Sequence, residues 1–277
     1  LRQAIVKHKS ALTQAMSEDF GNRPTDASTL NDILVCIETI KYQSKQLKKW
    51  MKPTKPHVDI KLQPVAATVY YQPKGVIGII SPWNFPVNLA ISPLITALSA
   101  GNRAIIKPSE FTPRTAQAMR AMIEEIFSED HVAVIPGEME VGVEFTKIPF
   151  DHMIFTGSTA VGKHVMKAAA ENLTPVTLEL GGKSPAIIAQ DAPIKDAVER
   201  LLYGKTTNAG QICVAPDYIL CPESRIDELV ATCKEVTAEF YPTIKDNQDY
   251  TSIINDRQYQ RLLGHIEDAK ATGATVI

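Results

Sequence analysis

The chain has 277 residues, 44% of them hydrophobic and 22% charged, which is the balance of a globular protein and excludes a disordered chain, a collagen or a coiled coil. Lysines and arginines number 29 against 31 aspartates and glutamates, so the formal net charge is −2. A chain this neutral has no global field for holding a polyanion, and nucleic acid is not expected as its partner. No stretch of about 18 apolar residues predicts a transmembrane segment.

The cysteines show neither a C-x-x-C pair nor the spacing of a zinc site, so no metal is predicted; they are Cys36, Cys213, Cys221 and Cys233. The N-terminus carries charges where a signal peptide has its apolar core. We therefore expect reduced thiols and a cytoplasmic protein. Residue 1 is Leu, and the last residues resemble a helix end and the start of a strand, so we expect a sequence cut at both ends.

The first seventy residues predict helices followed by a hairpin. Apolar positions up to residue 50 follow helical spacing, and prolines then interrupt the pattern. His57–Leu62 and Ala66–Tyr71 are strand-like runs separated by a turn around Pro64. Together they predict a projecting two-stranded hairpin.

From Gly75 onward, short apolar runs alternate with helical segments, which predicts an α/β fold with a parallel sheet covered on both faces. A second alternation begins near Lys183, and we place a domain boundary at Gly181-Gly182. The predicted strands are 76–80, 103–107, 132–135, 153–155, 176–180, 186–189 and 217–221, and the predicted helices are 86–100, 112–127, 160–172, 194–203 and 223–240.

A glycine-containing turn between a predicted strand and helix, Phe-Thr-Gly-Ser-Thr-Ala-Val-Gly at 155–162, suits an anion such as a pyrophosphate. The spacing from Gly157 to Gly162 matches neither the dinucleotide fingerprint nor a P-loop. On the pattern alone, a glycine turn that merely caps the helix is the favoured interpretation.

Two charged residues follow another predicted strand. Lys107 and Glu110 lie at its carboxyl end, where ligands bind in open α/β sheets, and they suit the hydroxyls of a ribose. The alternative is a surface ion pair beside a proline.

Asn84 lies in Ser-Pro-Trp-Asn-Phe-Pro, 81–86, directly after an apolar strand. Its amide suits an N-cap of the following helix or a hydrogen-bond donor to an oxyanion, and the pattern leaves both open.

Two further residues suit acid–base and nucleophilic chemistry. Glu179 interrupts an apolar strand, where a carboxylate is costly unless it is paired or exposed at an end, and suits a general base. The alternative is a Glu paired with Lys183.

Cys213 follows Asn-Ala-Gly-Gln in a predicted loop or helix start, which suits a reactive thiol. A lone cysteine, however, is more often a small buried hydrophobe.

Five strings occur in one order: S-P-W-N-F-P, K-P-S-E, F-T-G-S-x-x-x-G, E-L-G-G-K-S-P and G-Q-x-C. In order and spacing the whole chain resembles the aldehyde dehydrogenase superfamily. The flanks of these strings look like the branch that contains bacterial coniferyl aldehyde dehydrogenase and the fatty and aromatic aldehyde dehydrogenases.

The resemblance implies a role for each reactive residue. Cys213 is similar to the nucleophile that attacks the aldehyde carbon, and Asn84 with the Cys213 backbone N–H would hold the resulting oxyanion. Glu179 would activate the water that hydrolyses the thioester to a carboxylic acid. The implied substrate is a hydrophobic or aromatic aldehyde.

The resemblance also implies a nicotinamide cofactor. Lys107 and Glu110 match positions that hold the adenine ribose. A carboxylate repels a 2′-phosphate, so NAD is favoured, and NADP stays open because Lys107 is near. The other matching positions are Ile80, Trp83, Gly157, Ser158 and Gly162.

The implied architecture is a Rossmann-like cofactor domain at 1–56 and 75–181, an oligomerisation hairpin at 57–74, and the start of an α/β catalytic domain at 182–277. Family members form homo-oligomers, with a dimer favoured in this branch. The family continues beyond Ile277, so this chain is expected to have little activity alone. The alternative is a short, non-catalytic protein that binds NAD.

Overall fold

A five-stranded parallel sheet organises the first two thirds of the computed structural model, which describes all of residues 1–277. Its strands lie in the order β3-β2-β1-β4-β5, so the order reverses between β1 and β4. The strands are β1 (Val76–Ile80), β2 (Arg103–Lys107), β3 (Val132–Val134), β4 (His152–Gly157) and β5 (Val176–Leu180).

Helices cover the sheet on both faces. A π-helical turn, Thr29–Leu34, precedes α3. None of the helices is both long and apolar enough to cross a membrane. The helices are α1 (Arg2–Phe20), α2 (Thr25–Ser28), α3 (Val35–Trp50), α4 (Asn88–Ser99), α5 (Pro113–Ile126), α6 (Met139–Thr146), α7 (Thr159–Ala170), α8 (Ile194–Thr206), α9 (Ile226–Phe240) and α10 (Asp256–Ala271).

Alternate residues of the central strand enter two different hydrophobic cores. Ile77 and Ile79 of β1 pack with α1, α3, α4 and α5, whereas Val76 and Ile80 pack on the other face against the core around Phe155. Because both faces are buried, the strand is a continuous apolar run rather than an alternating one. The predicted doubly covered parallel sheet is therefore confirmed.

A second, two-stranded parallel sheet follows the predicted boundary at Gly181-Gly182. It contains β6 (Ser184–Ile187) and β7 (Pro216–Leu220). Helices α8 and α9 pack together beside it around a small core that includes Val198 and Val236. The predicted alternation of strand and helix is confirmed here, although β6 begins two residues before the predicted start at Ala186. Helix α6 was not predicted, because its eight residues include a glycine and make a short periodic pattern.

The predicted strands His57–Leu62 and Ala66–Tyr71 are wrong. The segment contains a 3₁₀ helix at Ile60–Leu62 and a single antiparallel bridge between Thr54 and Val69. Its apolar side chains are exposed, so no core holds the two runs together. An isolated two-stranded hairpin is marginally stable in water, which accounts for the missing ladder.

Candidate active site

The carboxyl edge of the large sheet gathers the predicted cofactor residues. Ile80 pairs with Lys107 of β2 and with Phe155 of β4, and Thr156 pairs with Glu179 of β5. These strand ends therefore meet at one edge, beside the reversal of strand order between β1 and β4. Ligands of open α/β sheets bind at such a position.

Lys107 is buried, which excludes the surface ion pair as its explanation. Its side chain is 4% exposed, its Nζ donates to the Pro108 carbonyl at 2.6 Å, and Glu110 Oε2 lies 4.0 Å away. Burial lowers the pKa of Lys107, and the charges of Glu110 and Glu138 oppose that shift. An ammonium has three donors, so Lys107 keeps donors for a ligand at the sheet edge.

The turn after β4 caps α7. The hydroxyl of Ser158 accepts the Val161 N–H at 3.3 Å, so the capping interpretation is confirmed. This cap lies at the carboxyl edge of the sheet, and the N-terminus of a twelve-residue helix favours an anion there. Gly162, in the first turn of α7, is buried against Leu180.

Gly157 leaves no room for a side chain, and Gly157→Ala is expected to lower the free energy of unfolding by about 1–3 kcal/mol. A Cβ at this position would lie 2.5 Å from Cζ of the buried Phe155 ring. Urea denaturation followed by circular dichroism measures the change. Gly182→Ala is the control, because nothing lies within 4 Å of its Cβ position. Equal stabilities of the two variants would contradict the prediction.

Asn84 joins the sheet edge to the loop that carries Cys213. Its Nδ2 donates to the Gln211 carbonyl at 2.9 Å. The N-cap interpretation is wrong, because α4 begins after Val87 and has no side-chain cap. An amide has two hydrogens, and the second one of Asn84 has no acceptor within the protein, so it is available to a ligand oxygen.

Cys213 lies in a turn between an irregular segment, Thr207–Gly210, and β7, which confirms the predicted loop. Its thiol is exposed, whereas the other three cysteines are buried or half-buried. Its backbone N–H donates no hydrogen bond within the chain. The small-buried-hydrophobe interpretation therefore does not apply to Cys213. It does apply to Cys36, where burial raises the pKa of the thiol to about 12.

The backbone before Cys213 is unusual. Asn208, Ala209 and Gly210 have φ values of 52°, 53° and 74°, all in the left-handed region. Only glycine adopts this region without cost, and such conformations concentrate at functional sites. Burial and hydrogen bonds hold this turn in place. Asn208 is buried, and Gln211 Nε2 donates to the carbonyls of Asn208 and Ser252.

Glu179 is exposed at the end of β5 and has no charged partner. The pairing with Lys183 is wrong: Lys183 Nζ lies 3.2 Å from Asp217 Oδ1 of β7 instead. The carboxylate is therefore free to bind water.

Trp83 is half-buried and packs near Phe20 of α1, with ring centroids 6.4 Å apart.

Sequence reasoning missed two buried residues behind Asn84. Arg23 Nη1 donates to the Asn84 carbonyl at 2.9 Å, and Arg23 Nη2 donates to Asp32 Oδ2 at 2.7 Å. Neither residue belongs to a recognisable motif, so the sequence contains no signal for this contact. Gln211 lies inside the string G-Q-x-C, but nothing in that string indicates its two roles as hydrogen-bond acceptor and donor.

Comparison with known proteins identifies the family to which the chain is similar. The aldehyde dehydrogenase family matches residues 1–277. A Pseudomonas aeruginosa protein named "Probable coniferyl aldehyde dehydrogenase" is 53% identical over 277 residues, which are 100% of this chain and 58% of that protein.

Two solved structures resemble the fold closely. The substrate-bound state of Staphylococcus aureus AldH has a TM-score of 0.92 at 40% identity, covering 98% of this chain and 59% of that one. An NAD⁺ complex of aldehyde dehydrogenase from Bacillus cereus has a TM-score of 0.87 at 28% identity, covering 99% and 56%. The chain thus spans less than two thirds of the length of these relatives.

Proposed function

Because this chain belongs to the aldehyde dehydrogenase family, we propose that it supplies the cofactor site and the reactive groups for oxidation of an aldehyde to a carboxylic acid. The observation that carries the proposal is the contact between Asn84 and the loop of Cys213. The Asn84 amide donates to the carbonyl of Gln211, two residues before an exposed thiol. The proposed oxyanion donor is thereby held against the loop that carries the proposed nucleophile.

The first half of the reaction uses Cys213 and Asn84. The Cys213 thiolate attacks the aldehyde carbon, a C–S bond forms, and the carbonyl electrons move to oxygen. The free amide hydrogen of Asn84 and the unused backbone N–H of Cys213 stabilise this oxyanion. Loss of hydride from the adduct leaves a thioester on Cys213. When bound, NAD accepts that hydride.

The second half uses Glu179. Its exposed carboxylate takes a proton from water, and the water oxygen attacks the thioester carbonyl. The C–S bond then breaks, the carboxylic acid leaves, the Cys213 thiolate is regenerated, and Glu179 releases its proton to solvent.

The sheet edge fits a dinucleotide. The free donors of Lys107 and the carboxylate of Glu110 suit ribose hydroxyls, and the start of α7 suits a pyrophosphate. Gly157, at the end of β4, is a further proposed contact. Glu110 repels a 2′-phosphate, so we propose NAD rather than NADP. The remaining proposed contacts are those of Ile80, Trp83, Ser158 and Gly162.

Lys107→Met is expected to weaken NAD binding by roughly 10- to 100-fold without lowering the melting temperature. The charged donor is lost, but burial already disfavours the ammonium in the folded protein, since it lowers the pKa of Lys107. Isothermal titration with NAD and a thermal melt measure the two effects. Lys9→Met, at an exposed position of α1, is the control. Unchanged NAD affinity would contradict the assignment.

We propose a hydrophobic or aromatic aldehyde as substrate, and the name of the P. aeruginosa relative supports the aromatic class. The test compares kcat/KM for coniferyl aldehyde and acetaldehyde, using the enzyme expressed from its complete reading frame. Higher values for coniferyl aldehyde are expected. Absence of NADH formation with both aldehydes, in a protein that binds NAD, would contradict the function.

We also propose a homodimer and a cytoplasmic location. The exposed apolar side chains of the segment 57–71, among them Ile60 and Tyr70, suit self-association. All four cysteines are free thiols, which suits a reducing compartment.

A further inference from the structure

A buried ion pair lies directly behind Asn84. Arg23, in the loop between α1 and α2, and Asp32, in the π-helical turn, have side chains that are 1% and 0% exposed. Their Nη2–Oδ2 distance is 2.7 Å. A buried ion pair is weak evidence for stabilisation, because desolvation opposes the attraction of the charges. Its location therefore needs another explanation.

Both charges bind the backbone of the segment that carries Asn84. Arg23 Nη1 donates to the Asn84 carbonyl at 2.9 Å. Asp32 Oδ1 accepts the N–H groups of Val87 at 3.1 Å and Asn88 at 2.9 Å. The pair thus fixes the peptide of Asn84 and the start of α4 relative to each other.

A third side chain, that of Asn208 in the loop before Cys213, also binds the Asn84 carbonyl. Asn208 Nδ2 donates to the Asn84 carbonyl at 3.1 Å and to the Gln211 carbonyl at 3.3 Å. The Gln211 carbonyl also accepts the Asn84 side-chain amide. The Asn84 carbonyl and the loop before Cys213 are therefore parts of one hydrogen-bonded unit.

The ring planes around the guanidinium restrict its movement. The Arg23 Cζ atom lies 4.9 Å from the ring centroid of Phe20 and 5.2 Å from that of Phe85. Arginine donates in a planar fork, so one side chain reaches Asp32 and the Asn84 carbonyl at the same time. Lysine, with a single ammonium, does not reproduce this geometry.

We propose that Arg23, held by Asp32, is a positioning residue that aims the Asn84 amide at the substrate oxygen. The inference rests on the proposed function, in which Asn84 stabilises the oxyanion. Arg23 acts through the backbone of Asn84 and touches neither substrate nor cofactor. A displacement of about 1 Å in such a group costs on the order of 10²-fold in rate.

A double-mutant cycle on the enzyme from its complete reading frame tests this role. Arg23→Lys is expected to lower kcat by roughly 10- to 100-fold with little change in the KM for NAD. In the Asn84→Ala background, the same substitution is expected to lower kcat by less than about twofold, because the amide it aims is gone. Alanine keeps the backbone carbonyl, so a purely structural effect of Arg23 persists in that background.

Asn208→Gly supplies a second variant in case Arg23→Lys does not fold. Glycine keeps the left-handed backbone of this position and removes one donor to the Asn84 carbonyl. A smaller loss of kcat is expected, and it too should vanish in the Asn84→Ala background. Equal losses in both backgrounds overturn the positioning role. An Asn84→Ala variant with unchanged kcat contradicts the proposed function itself, and the positioning role with it.

Discussion

Cys213→Ala is expected to lower aldehyde turnover by roughly 10⁴-fold or more while leaving NAD affinity unchanged. The thiol forms the covalent bond on which both halves of the proposed reaction depend. Alanine removes this group and changes nothing at the carboxyl edge of the sheet. Steady-state NADH formation and isothermal titration with NAD measure the two quantities on the same preparation.

Cys233→Ala is the matched control. Cys233 lies in α9 beside the small core, and burial raises the pKa of its thiol. This variant is expected to keep its activity. Rapid alkylation at Cys213 and slow alkylation at Cys36 are expected in the unmodified enzyme, because burial raises the pKa of Cys36 to about 12. Retention of most activity by Cys213→Ala would contradict the covalent route.

Glu179→Gln is expected to lower the steady-state rate by about 10²- to 10⁴-fold and to preserve one rapid turnover. Formation of the thioester releases hydride without help from Glu179, whereas hydrolysis needs a base to activate water. Rapid mixing of enzyme, NAD and aldehyde should therefore show an NADH burst equal to the number of active sites. After the burst, the variant should continue only slowly.

Glu171→Gln is the control for this experiment. Glu171 follows α7 at the opposite edge of the sheet and is exposed, as Glu179 is. It is expected to behave as the unmodified enzyme. Loss of the burst together with the steady-state rate in Glu179→Gln would contradict a role confined to hydrolysis. NAD binding without any NADH formation by the unmodified enzyme would favour the non-catalytic alternative.

The large sheet was predictable because each strand is dictated locally. Val76–Ile80 is apolar throughout, since alternate residues enter two cores, and Gly75 precedes it. The start of α7 is also determined by neighbouring residues, because the Ser158 side chain caps it. The runs His57–Leu62 and Ala66–Tyr71 have similar patterns but no core to pack on, and a pattern alone does not supply one.

The contacts within the candidate site depend on residues far apart in the chain. Asn84 binds Gln211 across 127 positions rather than the nearby helix start, and Lys183 pairs with Asp217 rather than with Glu179. Local rules for caps and ion pairs select the nearest partner, so both nearby alternatives were wrong. The roles of the reactive residues came from resemblance to a family and remain proposals.

If a substrate acyl group is carried on Cys213, mass spectrometry of the Glu179→Gln enzyme will detect it. The variant is mixed with NAD and coniferyl aldehyde, quenched in acid and digested. The peptide containing Cys213 is expected to gain the mass of the aldehyde less two hydrogen atoms, and omission of NAD is expected to abolish this product. An unmodified Cys213 peptide accompanied by NADH formation, or the same adduct on Cys221 or Cys233, would contradict that expectation.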